Sequence, residues 1–202
     1  MPRQNRAYKR GEPHRDYTLF VIVCEGEVRE KTYFEHFNEF RSQRVKVRTL
    51  PPVGHKSSPK DVLDRAVKYV DEFDLKDTDQ LWMVMDTDRW EFADLQIINE
   101  QCEQNENWFL AISNPCFEIW LHAHVQDLAD MTEQTCQTLK STLHTKLSGG
   151  YNVKLFMRNL SKAIERAALV DNAAHFIPSP MTTQVHRLAK ELIKLVGESK
   201  IS

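Results

Sequence analysis

Two short apolar runs in this chain break off on acid. Thr18-Leu-Phe-Val-Ile-Val-Cys24 is followed by Glu25-Gly26-Glu27, and Leu81-Trp-Met-Val-Met85 is followed by Asp86-Thr87-Asp88. Both runs are apolar on both faces, the pattern of a central parallel strand covered by helices on each side. The acids therefore stand where strand gives way to loop. In an open α/β sheet the carboxyl ends of the strands are where ligands bind. Several carboxylates converging there repel one another and are costly to bury unless a positive partner sits among them. A hard divalent cation held by oxygen ligands meets that need.

The rest of the chain extends the same pattern. Gly26 turns the first run into a helix over Glu27 to Phe40, with Tyr33, Phe34, Phe37 and Phe40 as its apolar stripe. Val45 to Leu50 reads as a second strand, halted by Pro51-Pro52. Pro59 opens a helix that buries Val62, Leu63, Ala66, Val67 and Val70. Leu81 to Met85 is the third strand, Glu91 to Asn105 a helix, and Trp108 to Ile112 a fourth strand. Strands alternating with helices at this spacing predict parallel βαβ units with right-handed crossovers. Beyond Pro115 only helices are predicted, at Phe117 to His124, Thr132 to Leu147, Leu155 to Ala168 and Thr182 to Val196, with Gly149-Gly150 as a break. The expected architecture is α/β, a four-stranded parallel sheet flanked by helices with a helical C-terminal extension. Residues 1–16 form a basic arm, 17–125 the α/β domain, and 126–202 the extension packed on that domain.

With 202 residues and 41% apolar content the chain can bury a real core. Its formal charge of -2 hides a basic start: Arg6, Lys9, Arg10 and Arg15 lie in the arm, where they read either as a solvated tail or as phosphate contacts. Cys24, Cys102, Cys116 and Cys136 show no C-x-x-C pairing and read as small buried hydrophobes of a reducing compartment. The absence of a signal-like or membrane-length apolar run predicts a cytoplasmic protein.

Glu25 precedes a glycine, so backbone can approach a ligand while the carboxylate points into the crevice. Asp86 and Asp88, one residue apart, project to one side if the chain is still extended, and can share a cation or hold two adjacent ones. Such a site suits phosphoryl transfer, although D-x-D after a strand also serves as a simple helix cap. A third acidic point follows the fourth strand, in Ser113-Asn114-Pro115-Cys116-Phe117-Glu118-Ile119-Trp120-Leu121. Glu118 is the lone acid in an apolar helical stretch; it either faces solvent or needs a metal, an Arg or backbone amides as partner. His122 and His124, two apart on a helix, point in different directions, which argues against zinc and leaves His122 as a structural residue or a phosphate contact. Lys56, with Ser57 and Ser58, lies in a polar loop that reads as solvated or as touching phosphate. No G-x-x-x-x-G-K-[ST] occurs, so P-loop nucleotide hydrolysis is not expected.

Together, Val23-Cys24-Glu25-Gly26-Glu27-Val28-Arg29-Glu30-Lys31-Thr32-Tyr33-Phe34, the D-x-D at Asp86 and the S-N-P-C-F-E-I-W-L segment resemble the RloB-like proteins, small members of the Toprim superfamily. The resemblance implies a Toprim-like fold, with Glu25, Asp86 and Asp88 as Mg²⁺ (or Mn²⁺) ligands for one or two ions. It also implies acid-base transfer by Glu25 and a place for Glu118 in the same site. It further implies a hydrolase of antiviral or abortive-infection defence, a nuclease on RNA, with tRNA one candidate, or on DNA. A AAA-type ATPase encoded nearby would be its partner, without a membrane and with a homo-oligomer left open. The family usually carries Thr-Glu where this chain has Arg29-Glu30, which puts any role of that threonine in doubt here. The alternative expectation is a non-catalytic module that docks such an ATPase or a nucleic acid. Primase-like or topoisomerase-like chemistry is disfavoured, because no tyrosine-bearing breakage domain or zinc motif accompanies the carboxylates.

Overall fold

Strand β1 (Thr18–Cys24) is buried from Leu19 onward, and its side chains alternate between two apolar layers. Leu19, Val21 and Val23 join one layer, and Phe20, Ile22 and Cys24 the other. This two-faced burial is what an all-apolar run requires, and it makes β1 a central strand. In the computed structural model, which describes residues 15–54, 56–132, 135–147, 151–172 and 175–200, β1 is followed by α1 (Arg29–Glu35), β2 (Val45–Leu50), α2 (Pro59–Glu72), β3 (Gln80–Asp86), α3 (Phe92–Glu103) and β4 (Trp108–Asn114). Then come α4 (Glu118–Ala123), α5 (Cys136–Lys146), α6 (Val153–Arg158), α7 (Leu160–Val170), β5 (Thr182–Thr183) and α8 (Val185–Val196). Arg6, Lys9 and Arg10 of the basic arm and the Gly149-Gly150 break lie outside the described residues.

The sheet order is β2-β1-β3-β4-β5. The first four strands are parallel and β5 is antiparallel to β4, so the sheet is mixed and five-stranded rather than purely parallel and four-stranded. Two residues carry no periodicity, which is why β5 escapes a reading of hydrophobic pattern. It forms because polar groups meet: Ser113 and Thr183 share a hydroxyl hydrogen bond at 2.8 Å, and the Gln184 N–H donates to Ile112 O at 2.8 Å.

The helices deviate from expectation in three places. The first ends as α1 at Glu35 and tightens into a 3₁₀ turn over His36–Phe40. The expected helix over Leu155 to Ala168 is two, α6 and α7, meeting at Asn159. In α2 the buried face runs through Val62, Ala66 and Tyr69, and Val67 is exposed. Helix α2 begins on a capping box: Ser58 Oγ accepts from Asp61 N–H while the Asp61 carboxylate accepts from Ser58 N–H, with Pro59 in the first turn.

Helices α2 and α3 cover one face of the sheet. The other is covered by α1, α4, α7 and α8, whose apolar residues form one cluster running from Phe20 to Val196. Its centre is Tyr33, which meets Phe34, Phe117, Trp120 and His124 edge-on at centroid distances of 5.2, 5.8, 6.1 and 5.6 Å. The Tyr33 hydroxyl donates to His124 Nε2 at 3.0 Å, and His124 Nδ1–H donates to Trp120 O at 2.8 Å. This chain of bonds ties α1 to α4, the two helices that wall the acidic edge.

Cys116 and Cys136 are joined as a disulfide between the segment leading into α4 and the start of α5, with Cα atoms 5.9 Å apart. This corrects the expectation of four unpaired thiols; Cys24 and Cys102 are the free ones. The pairing was hidden because the two residues meet only after α5 folds back on α4. Among the described residues no helix is long and apolar enough to cross a membrane.

His124 is fully buried, and burial, with the Arg166 charge adding to it, pushes its imidazole from the ordinary 6.5 down to about 3. Between these values the unfolded chain binds a proton that the folded one refuses. The stability from the neutral ring is therefore present above pH 6.5 and is lost as pH falls below it, by up to about 1.4 kcal/mol per pH unit. Urea unfolding of wild type and of His124→Gln from pH 7.5 to 4.5 should show their stability difference shrinking as pH falls. An NMR titration should show the His124 ring neutral down to pH 5. Parallel stability curves together with a ring that protonates near 6.5 would refute this account.

Candidate functional site

Parallel register brings the acids together. Cys24 lies opposite Val84 in β3, and Asp86 opposite Ser113 in β4, so β1, β3 and β4 all leave the sheet at one edge. There a cavity of about 340 Å³ is lined by Glu25, Glu30, Asp86, Asp88 and Glu118, with Arg29, Arg89 and Lys140 among its other walls. All four acids expected as ligands therefore face one cavity, and Glu27 and Glu30 join them.

Backbone groups hold the carboxylates of Glu25 and Glu30 and anchor the D-x-D turn. The Glu25 N–H continues the β1–β3 ladder to Val84 O at 3.2 Å, and its Oε2 accepts the Asp86 N–H at 3.0 Å. The D-x-D turn is anchored to the S-N-P segment: Thr87 and Asp88 N–H groups both donate to Pro115 O, at 3.0 and 3.1 Å, and the Thr87 hydroxyl donates to Asn114 Oδ1 at 3.0 Å. Gly26 N–H donates to Glu30 Oε1 at 3.1 Å, and a Cβ at Gly26 would run into the Glu30 carboxyl. Glycine here serves the close approach of Glu30, which returns from the first turn of α1.

Glu118 is buried, and its partners are cations. Arg29 Nη1 hydrogen-bonds its Oε1, and Lys140 Nζ stands 3.9 Å from the same oxygen. This settles the choice the spacing left open, between solvent and a partner, in favour of an arginine. Arg29 is placed by its own backbone, whose carbonyl accepts the Tyr151 hydroxyl at 2.9 Å. On the other side of the site Arg65 donates to Cys24 O at 2.8 Å and to Lys56 O at 2.6 Å, tying the end of β1 to the following loop.

The crowding of carboxylates is visible in their proton affinities. Burial, then the nearby charges of Glu25, Glu30, Glu118 and Asp88, pushes Asp86 well above the ordinary carboxylate range. Burial pushes Glu25 up from 4.5 to about 7, with Asp88 and Glu30 adding to the rise and the Asp86 N–H opposing it. Glu30 is raised as well, by burial first. Six carboxylates gathered at one sheet edge are oxygen donors of the kind a hard cation takes, and three of them, Glu25, Glu30 and Asp86, are raised by burial first and by their neighbours' charge after it. As the side chains stand, no group of three or more His, Cys, Asp or Glu among the described residues closes on a single point, and Glu118 is turned to Arg29 and Lys140.

The remaining expected contacts fall elsewhere. His122 is fully buried and its Nε2–H donates to Leu139 O at 2.9 Å, so it is a core residue and does not reach a surface phosphate. It points away from His124, as helix geometry requires. Arg15 pairs with the buried Asp79 before the start of β3, at the opposite end of the sheet from the acids. Lys56 is exposed beside the cavity, where Ser57 forms part of the lining. Reading the sequence missed Arg29, Arg89 and Lys140 as site residues. The one signal for any of them was Arg29 standing where the family usually has threonine.

A mixed β/α sheet whose parallel strands end beside six carboxylates and a rim of cations defines an α/β protein with an acidic cavity at one edge of its sheet. More narrowly, the chain belongs to the RloB-like protein family, whose model matches residues 20–192. No curated protein and no solved structure matches it.

A buried carboxylate raised to about 7 costs stability once it ionises. The penalty is absent below about pH 4.5 and complete above pH 7. Glu25→Gln keeps the acceptor for Asp86 N–H and removes the charge. In EDTA the variant should match wild type near pH 4 and exceed it at pH 8.5 by at most about 3 kcal/mol, measured by thermal unfolding. A variant no more stable than wild type at pH 8.5 would show that ionising the buried Glu25 carries no penalty in the folded protein.

Proposed function

We propose that this protein is a Mg²⁺-dependent endonuclease of Toprim type, cutting RNA, with tRNA one candidate, or DNA in antiviral defence. The observation that carries the reading is the cavity itself: Glu25, Glu30, Asp86, Asp88 and Glu118 come from four separate segments, with Arg29, Arg89 and Lys140 at its walls. Glu25, Asp86 and Asp88 would hold one or two ions, with Glu118 joining if it leaves its cations. The metal, when bound, lowers the pKa of an attacking water and offsets charge on the scissile phosphate. The protein's own groups do the rest. Arg29 and Lys140 offer the phosphate the donors they now give Glu118. Without the ion Glu25 holds its proton up to about pH 7; with the ion bound Glu25 would give that proton up, and its carboxylate would then serve as ligand or take up a proton at the reacting oxygens.

Membership of the RloB-like family supports the reading, and the missing P-loop is consistent with ATP use by a separate AAA-type partner. A second reading has its own observation: Glu118 is already satisfied by Arg29 and Lys140, as in a binding module that breaks no bond and docks an ATPase or a nucleic acid.

Asp86→Ala combined with Asp88→Ala should lower cleavage by at least about 1,000-fold, the scale of losing a metal's contribution of several kcal/mol. The far-UV circular dichroism should be unchanged, and the toxicity of the expressed protein should be lost. Sequencing RNA and DNA ends after induction of wild type and variant identifies the polymer cut. Cleavage surviving in the double variant, or no Mg²⁺ binding at millimolar concentration by calorimetry, decides for the docking module.

A further inference from the structure

The edge of the sheet farthest from β5 carries a second surface unlike the acidic cavity. Strand β2 lies at that edge, and its residues alternate strictly: Val45, Val47 and Thr49 are buried, while Lys46 and Arg48 are exposed. Exposed Arg44 precedes the strand and lines a separate cavity with the end of α8, so two cations, Lys46 and Arg48, stand on this face about 6.6 Å apart. Among the described residues neither of the two pairs with a carboxylate. Two acids share the cavity and have partners of their own, Glu35 accepting the Thr49 hydroxyl at 2.6 Å and Glu39 facing His36 at 3.3 Å, while the exposed Asp71, Glu72 and Asp74 flank Phe73 outside the cavity lining.

Aromatic rings are interleaved with these cations. The Arg48 guanidinium lies over both Tyr69 and Phe73, 5.5 Å from each centroid, and the two rings stand 4.9 Å apart at an interplanar angle of 33°. Arg15 lies over Tyr17 at 5.3 Å. Tyr17 and Phe73 are 38% and 41% exposed, so each offers a ring surface to solvent. Arg15, Tyr17, Lys46, Arg48 and Tyr69 line one open cavity of about 930 Å³ along this edge. The position of Arg15, which removes it from the acidic site, places it here.

We propose that this edge is a docking track for single-stranded nucleic acid. Phosphates would run along Lys46 and Arg48, and bases would stack on Phe73, Tyr17 and the Arg48 guanidinium. Cations along one strand with exposed rings beside them match a polyanion that carries flat apolar bases. An acidic peptide would use the cations and leave the rings idle. The track runs toward the acidic cavity: Arg48 is level with Val21, four residues before Glu25, or about 13 Å along the strand. The inference rests on the nuclease reading for the use of the track, and not for its ability to bind.

The test measures binding without cleavage. Fluorescein-labelled oligouridine and oligodeoxythymidine are titrated by anisotropy in EDTA with wild type, Lys46→Glu/Arg48→Glu, Phe73→Ala and Arg29→Ala. Circular dichroism confirms the fold of each. Losing two phosphate contacts should weaken binding at least about 10-fold and flatten the log Kd against log salt slope by about 1.4. Losing the Phe73 ring should weaken it about 5- to 10-fold with the slope unchanged, the mark of lost stacking. The proposal is overturned if wild type binds neither polymer or if the β2 double variant binds as wild type does. A β2 double variant that changes only the sedimenting mass would also overturn it, showing an interface between copies. None of these outcomes touches the Mg²⁺-dependent cleavage test on Asp86 and Asp88, so the track can fail while the nuclease reading stands.

Discussion

The parallel pairing of β1 with β3 is the constraint on which the rest of this molecule depends. With Cys24 opposite Val84, the chain leaves both strands at one edge, and the Asp86 N–H finds the Glu25 carboxylate at 3.0 Å. In an antiparallel arrangement the same two strands would send their acids to opposite ends. Two-sided apolar burial enforces the parallel choice, because helices must return over each face and bring the next strand in with the same direction. The acidic cavity is thus a product of the core rather than of the loops alone.

Around that edge the structure balances like charges with specific partners. Burial and mutual repulsion hold Asp86 and Glu25 above their ordinary pKa values, while Glu118 is compensated by Arg29 and Lys140. Carboxylates kept under strain on one side and cations kept within reach on the other form an unsymmetrical site. Its acids Glu25, Asp86 and Asp88 lie on one side and its cations Arg29 and Lys140 on the other. The supports lie further out: the Tyr33–His124–Trp120 chain fixes α1 to α4, the Cys116–Cys136 disulfide fixes the approach to α4 against α5, and Pro115 O holds the D-x-D turn.

Particular residues show how much of this could be read from the chain. Glu25, Asp86 and Asp88 were legible because each follows an apolar run whose length and two-faced character identify a central strand. Glu118 was half legible: its apolar neighbours called for a partner, but that partner is 89 positions away. Lys140 was illegible for the same reason, since an ion pair formed by folding α5 onto α4 leaves no local pattern. His122 misled because a polar residue near a candidate site looks functional until its bond to Leu139 O is seen. Strand β5 was missed because hydroxyl and amide contacts with β4, and not periodicity, create it.

By itself the sequence determined the α/β class, the first four strands and the acids that end two of them, because hydrophobic period and strand-end chemistry are local properties. Only the tertiary structure decided which cations meet those acids, which cysteines pair, and that β2 lies at the sheet edge with Lys46 and Arg48 facing solvent. These depend on strand order and helix docking, which bring together residues that the chain itself keeps apart. A basic residue at every second position of a strand looks the same in sequence whether its face is covered by a helix or open to a ligand.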